Sequence, residues 1–152
     1  MNAGLDITFE NMKNTHLADV VEIERQSFPT PWSREAYFQE IAGNDFAYYT
    51  VALLGDKVIG YCGMWIILDE VHVTTIAAHP DYRGRGLGAQ LLDRLVNEGR
   101  RRGCNKMTLE VRPSNYPALR LYTKTGFISG GLRPGYYADT GEDAVIMWMD
   151  LY

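Results

Sequence analysis

Cysteine and histidine are scarce in this chain of 152 residues, two of one and three of the other. Cys62 and Cys104 are too few and too unlike in setting for a disulfide framework, and Cys62 reads as a small core residue in an apolar run. His16, His72 and His79 are scattered without metal-ligand spacing, so no metal is expected. Basic character is lacking too. A net charge of −4 and an isoelectric point near 5.3 argue against a nucleic-acid partner, which would require a broad basic face. The one basic run, Arg100-Arg101-Arg102 before Gly103, suits the C-terminus of a helix. Long apolar runs are missing: Val58 to Leu68 is broken by Gly60 and Gly63 and falls far short of a membrane span. The opening residues M-N-A-G-L-D-I-T-F-E-N hold neither a basic nor a continuous apolar segment, so no signal peptide is read there. Repeats, linkers and low-complexity stretches are absent. What remains is the expectation of one cytoplasmic domain, residues 1–152, with no membrane partner.

What is present is a clear alternation of strand and helix patterns. Leu5-Asp6-Ile7-Thr8-Phe9 alternates as a half-buried strand. Asn14-Thr15 offers caps for a helix to about Arg25, which Phe28-Pro29-Thr30-Pro31-Trp32 breaks. Ser33 caps a second helix, ended by Gly43-Asn44-Asp45. Phe46 to Leu54 and Lys57 to Leu68 read as a hairpin turning at Gly55-Asp56. A tight connection at Asp69-Glu70 leads into the β-branched strand Val71 to Ile76. Leu87, Leu91, Leu92, Leu95, Val96 and Gly99 then give a helix one apolar face. The short return to a strand at Lys106 to Arg112 implies a parallel βαβ crossover. A helix from Asn115 to Thr125, with Gly126 as its cap, precedes closing strands at Phe127 to Leu132 and Glu142 to Asp150. The expected class is α+β, an α/β/α sandwich on a mixed, mostly antiparallel sheet.

Four features carry possible chemistry. Arg83-Gly84-Arg85-Gly86-Leu87-Gly88 is a glycine-spaced turn opening a helix after a strand, which is physically a phosphate cradle, although such glycines also serve turns alone. Alternation in Met107 to Val111 places Glu110 opposite the apolar side of its strand. It is either an ion-pair partner of a neighbouring strand or a general base whose pKa burial raises toward neutrality. Tyr122 is either a core aromatic or a phenol that protonates a leaving group, and Asn115 is either an N-cap or a ligand for an extended amide.

The loop Arg83 to Gly88 resembles the acyl-CoA pyrophosphate motif of the GNAT N-acetyltransferases, set as that family requires between Ile76-Ala77-Ala78-His79-Pro80 and an amphipathic helix. Leu109-Glu110-Val111-Arg112-Pro113-Ser114-Asn115, Leu121-Tyr122 and Gly126-Phe127 are similar to the RimI-type protein N-acetyltransferases. So are Phe28 to Ser33 and the tail Gly135-Tyr136-Tyr137-Ala138-Asp139 with Glu142-Asp143-Ala144. The resemblance spans nearly the whole chain. Thr75 and Ala78 depart from it, standing where asparagine and valine are usual.

That resemblance implies a GNAT fold with a splayed parallel strand pair that receives acetyl-CoA as co-substrate. The pantetheine arm would lie on backbone groups of Ile76, Ala77 and Ala78, and the pyrophosphate on N–H groups of Arg83, Gly84, Arg85, Gly86, Leu87 and Gly88. The three glycines would then serve close backbone approach rather than the turn alone. Asn115 would hold the arm. Glu110 would deprotonate the acceptor amine, directly or through a water, and Tyr122 would protonate the departing thiolate, so neither cysteine is needed. The implied acceptor is the N-terminal amine of a protein, a ribosomal protein's alanine being typical, and the enzyme a monomer or weak dimer. Asp69, Glu70, Tyr136 and Tyr137 are candidates to line the peptide groove; a polar turn and a partly exposed strand are the plainer readings. Two alternatives are a GNAT acting on a small amine and a non-catalytic acyl-CoA-binding module.

Overall fold

The computed structural model describes residues 6–152. Strands and helices follow in the order β1 Ile7–Asn11, α1 Leu17–Ser27, α2 Arg34–Gly43, β2 Ala47–Leu54, β3 Lys57–Ile67, β4 Glu70–Ala78, α3 Leu87–Arg101, β5 Lys106–Val111, α4 Tyr116–Thr125, β6 Ile128–Arg133 and β7 Ala144–Asp150. They build one seven-stranded sheet in the order β1-β2-β3-β4-β5-β7-β6. Only β4 and β5 pair in parallel; every other described pairing is antiparallel. This is the expected mixed sheet with its single parallel step.

Each face of the sheet is covered. On one, Leu91, Leu92, Leu95 and Val96 of α3 pack with Ile59, Met64, Val71 and Met107 from the strands. On the other, Leu17, Val20 and Ile23 of α1 and Tyr37 of α2 meet Tyr49, Val51 and Tyr61. Each fully buried aliphatic side chain contributes about 1.5–3 kcal/mol, so these two layers fix the strands that frame the site. Both cysteines are buried and free, Cys62 as its apolar run led one to expect. Among the described residues no helix is long and apolar enough to cross a membrane.

Local chemistry accounts for most boundaries and for the differences. Ser33 caps α2, its hydroxyl accepting from the Ala36 N–H at 3.1 Å. Asn14 and Thr15 do not cap α1. They sit in a 3-10 turn, Asn14–His16, and the His16 imidazole instead accepts from the Lys13 N–H at 2.9 Å. The first strand continues past Phe9, because Glu10 and Asn11 still pair with Val51 and Thr50; Leu5 lies outside the described residues. The turn between β3 and β4 falls at Leu68-Asp69 rather than Asp69-Glu70, with Leu68 in the left-handed region at φ 56°. Glu70 is drawn into β4 by pairing with Ile67 on one side and Lys106 on the other.

Candidate active site

The parallel pairing of β4 and β5 is short. Glu70 pairs with Lys106, Val71 with Met107 and His72 with Thr108, and there the ladder stops. Along its other edge β4 carries a bulge against β3: Met64 pairs with Val73 and Gly63 with Thr75, leaving Thr74 over. One extra residue bends a strand and switches which positions face inward. Accordingly Val71 and Val73 join the α3-side core before the bulge, while Ile76 and Ala78 pack against it afterwards. The bulge is pinned from the α2 side, where the Thr74 hydroxyl meets that of Tyr49 at 2.9 Å. Beyond His72 the edge of β4 that faces β5 has no strand partner, and a cleft of about 500 Å³ opens between the two strands. Ile76, Asn115, Glu110 and Tyr122 all line it. Ala77 and Ala78 follow Ile76 on β4 but are not among the residues that line the cleft, and the Ala78 carbonyl accepts from Arg83 Nε at 3.0 Å.

At the end of β4 the chain turns through Pro80–Tyr82 into the glycine-spaced loop. Gly84 and Gly86 have φ of 76° and 81°, a conformation that disfavours any residue with a Cβ. Gly86 is the N-cap of α3, which has no side-chain cap and no acidic residue in its first turn. The free N–H groups of Leu87, Gly88 and Ala89 and the positive end of the helix dipole therefore stand open to an anion. Gly88 differs from the other two glycines. It lies inside α3, and a Cβ there would make an ordinary 3.4 Å contact with Leu121. Backbone conformation thus already favours glycine at 84 and 86, so the turn itself is one reason for these two residues. The Leu87 side chain is buried in the core and offers the site only its backbone. Arg83 is committed to Ala78 and to the Ser27 hydroxyl, at 2.9 Å. Arg85 stacks over the Tyr82 ring with its guanidinium 5.6 Å from the centroid.

Glu110 is nearly enclosed, its side chain 9% exposed. Its Oε1 lies 2.6 Å from His72 Nε2, and its Oε2 lies 4.0 Å from the Arg133 guanidinium. Burial pushes the carboxyl pKa up, but the hydrogen bond and charge of His72, with Arg133 behind them, outweigh it and hold the group below the usual carboxylate range. Of the two readings taken from sequence, the general-base one expected the opposite, a pKa raised toward neutrality. The difference comes from a cross-strand partner that β5 alone does not reveal. Tyr122, on α4, is buried beside Phe127. Burial, with the charge of Tyr137 adding to it, pushes its phenol far above the ordinary tyrosine range, so it is held protonated. Its hydroxyl makes no hydrogen bond to a described residue. Asn115 does cap α4, accepting from the Ala118 N–H at 3.3 Å, while bordering the cleft.

Two connections wall the mouth. Phe28, Pro29 and Trp32 come from the α1–α2 connection, and Tyr136 and Tyr137 from the β6–β7 connection. The two touch where the Thr30 hydroxyl donates to Asp139 at 3.3 Å. Arg112, just past β5, pins the second connection: it bonds Asp139 and Glu142 and stacks over Tyr137 at 4.0 Å. Glu24 anchors the first, accepting the Trp32 N–H at 2.9 Å. Asp69 and Glu70 do not reach the cleft. Asp69 is held by Asn105 at the β3–β4 turn, and Glu70 begins the paired end of β4, opposite the splay. They are polar turn and strand-start residues, and the groove reading fails for them. His72, Glu24 and Arg112 were not singled out from sequence. The parallel crossover, once inferred, would have set His72 next to β5; nothing local marks Glu24.

The family profile described as acetyltransferase (GNAT) family matches residues 17–127. The chain is 41% identical over 141 residues to a putative ribosomal protein bS18-alanine N-acetyltransferase of Bacillus subtilis, covering 93% of each. It is 35% identical over 142 residues to the ribosomal protein bS18-alanine N-acetyltransferase of Escherichia coli, covering 92% of this chain and 95% of that one. The crystal structure of the ribosomal-protein-S18-alanine N-acetyltransferase from Escherichia coli superposes with a TM-score of 0.87 at 31% identity, covering 96% of this chain and 94% of that one.

Proposed function

Because this chain belongs to the acetyltransferase (GNAT) family, we propose that it is a single-domain protein N-α-acetyltransferase that moves the acetyl group of acetyl-CoA directly to the N-terminal amine of a protein. The names of its relatives support an N-terminal alanine of a ribosomal protein as the acceptor. The observation that carries the reading is the cleft itself. Glu110 and Tyr122 share it, beside a strand edge with no partner and a helix N-terminus with no cap.

The residues present fit acetyl-CoA. The unpaired edge of β4 from Val73 to Ala78 matches an amide-bearing arm, which adds to a sheet edge as a strand would. The first turn of α3 and the backbone of Arg83 to Gly86 take the pyrophosphate. The Tyr122 hydroxyl, buried without a hydrogen-bond partner among the described residues and held protonated, would give its proton to the sulfur as the C–S bond breaks. Glu110 removes a proton from the acceptor ammonium, and the freed nitrogen forms the new C–N bond. The second nitrogen-bound proton is lost as the amide forms and restores Tyr122. One proton reaches water in each turnover. Tyr136 and Tyr137 flank the path by which a peptide's amino end would enter. Most of the acceleration comes from holding amine and thioester together and keeping the amine neutral.

The test is incubation with acetyl-CoA and short peptides bearing free N-terminal Ala, Ser or Met, read by mass and by release of free thiol. One acetyl group on the α-amine of the alanine peptide is the expected product. Turnover of small amines with none of the peptides acetylated would overturn the protein-acceptor reading.

A further inference from the structure

We propose that His72 and Glu110 form one coupled unit in which the imidazole, rather than the carboxylate, sets the pH at which the base becomes competent. This rests on the reading above in which Glu110 deprotonates the acceptor amine.

Two strands deliver the pair. His72 is the last residue of β4 to pair with β5, opposite Thr108, and Glu110 lies two residues further along β5, where the strands part. At 2.6 Å the ionised Glu110 accepts from the His72 Nε2–H. The carboxylate is inside and the imidazole faces out, with side chains 9% and 34% exposed. The Trp65 indole sits edge-on to the imidazole, the centroids 5.9 Å apart. From β6, Arg133 faces Glu110, and Tyr136 and Tyr137 approach from the following connection. Glu24 and Tyr37, on α1 and α2, border the same cleft but are bonded to each other. Among the described residues, His72 is therefore the one side chain hydrogen-bonded to the base.

The consequence is a switch. With His72 protonated, the carboxylate is locked into an ion pair and its affinity for the substrate's proton falls. With His72 neutral, the same hydrogen bond still orients Glu110, but the base no longer faces a full positive charge. Such a pair titrates as a unit. Of the two side-chain types, an imidazole is the one able to change charge in the working range of an α-amine enzyme. His72 is a positioning residue: it touches the base and not the reacting atoms.

Two measurements test this. The first compares the pH dependence of kcat at saturating peptide in the wild type and in His72→Gln, whose amide N–H still donates but does not titrate. The acid limb is expected to fall by at least about one pH unit in the variant, with acetyl-CoA affinity unchanged; coincident limbs would overturn the coupling. The second needs no turnover. The His72 ring signals are followed by NMR against pH in the wild type and in Glu110→Gln, and the midpoint is expected to drop when the carboxylate is gone. An unchanged midpoint overturns the pair even if the enzyme is active, whereas failure of the wild type to acetylate any peptide overturns the acceptor reading alone.

Discussion

Arg112 grips Asp139 across the cleft mouth, one guanidinium nitrogen lying 2.9 and 3.1 Å from the two carboxylate oxygens. Asp139 in turn receives the Thr30 hydroxyl from the opposite wall. The same guanidinium stacks on Tyr137 and reaches Glu142, whose other oxygen accepts the Ser114 N–H. One side chain thus ties the end of β5 to the connection that carries Tyr136 and Tyr137. Asp139 is held below its ordinary carboxyl range, the Arg112 hydrogen bond being the main cause.

Arg112→Ala is therefore expected to loosen the acceptor side and spare the donor side. The KM for peptide should rise about tenfold, the scale of one lost charge-assisted hydrogen bond, while the Kd for acetyl-CoA stays put. Steady-state kinetics with each substrate varied separately checks it. A rise in the acetyl-CoA constant alone would show that Arg112 serves the other half of the cleft.

Tyr122→Phe should separate chemistry from stability unusually well. The hydroxyl bonds no described residue, so its removal deletes no protein hydrogen bond, and the stability change should stay below about 1 kcal/mol. The kcat should fall by about a hundredfold, as for loss of a general acid. Chemical denaturation and single-turnover kinetics on the same preparation decide the matter. A large loss of stability with little loss of rate would return Tyr122 to the role of a core aromatic.

Glu110→Gln keeps the shape of the base and removes its charge. The kcat for the alanine peptide should drop at least about a hundredfold with the Kd for acetyl-CoA nearly unchanged, because the donor contacts proposed above lie on β4, α3 and Asn115 rather than on Glu110. Isothermal titration beside peptide turnover provides the check. An unchanged rate would remove Glu110 from the mechanism and favour the amine shedding its proton to water before binding.

The parts of this site that were legible in sequence are those whose signal is local. The glycine spacing before α3, the apolar stripe of that helix and the alternation of Met107 to Val111 each lie within one element, and the elements formed where expected. What was hidden depends on register between strands. The charge state of Glu110 turns on His72, 38 residues away, and the splay turns on a one-residue bulge at Thr74 that no turn residue announces. Asp69 and Glu70 were misread for the same reason. They are near the cofactor strand in sequence, but they sit at its paired end rather than its open one.

Glu24 gives the last prediction. Its Oε1 accepts the hydroxyls of Tyr37 and Tyr61, each at 2.6 Å, and its Oε2 the Trp32 N–H. Burial, with Glu24 beside them, pushes both phenols far above the ordinary tyrosine range, so they remain protonated donors. The carboxylate thus joins α1, α2, β3 and the α1–α2 connection at a point only 4% exposed. Glu24→Leu would leave two buried hydroxyls and one amide without their acceptor. Each such group costs about 1–3 kcal/mol, so the chain should lose about 3–9 kcal/mol of stability, a large share of a typical domain's total. Glu24→Gln retains one acceptor oxygen and should lose less. If the glutamine variant remains folded, its KM for peptide should rise, because Trp32 is no longer fixed at the cleft mouth. Denaturant unfolding of both variants, with peptide kinetics on the glutamine form, tests the two halves separately. Equal stability of the leucine variant and the wild type would mean that the phenols find other partners and that Glu24 does not organise this wall.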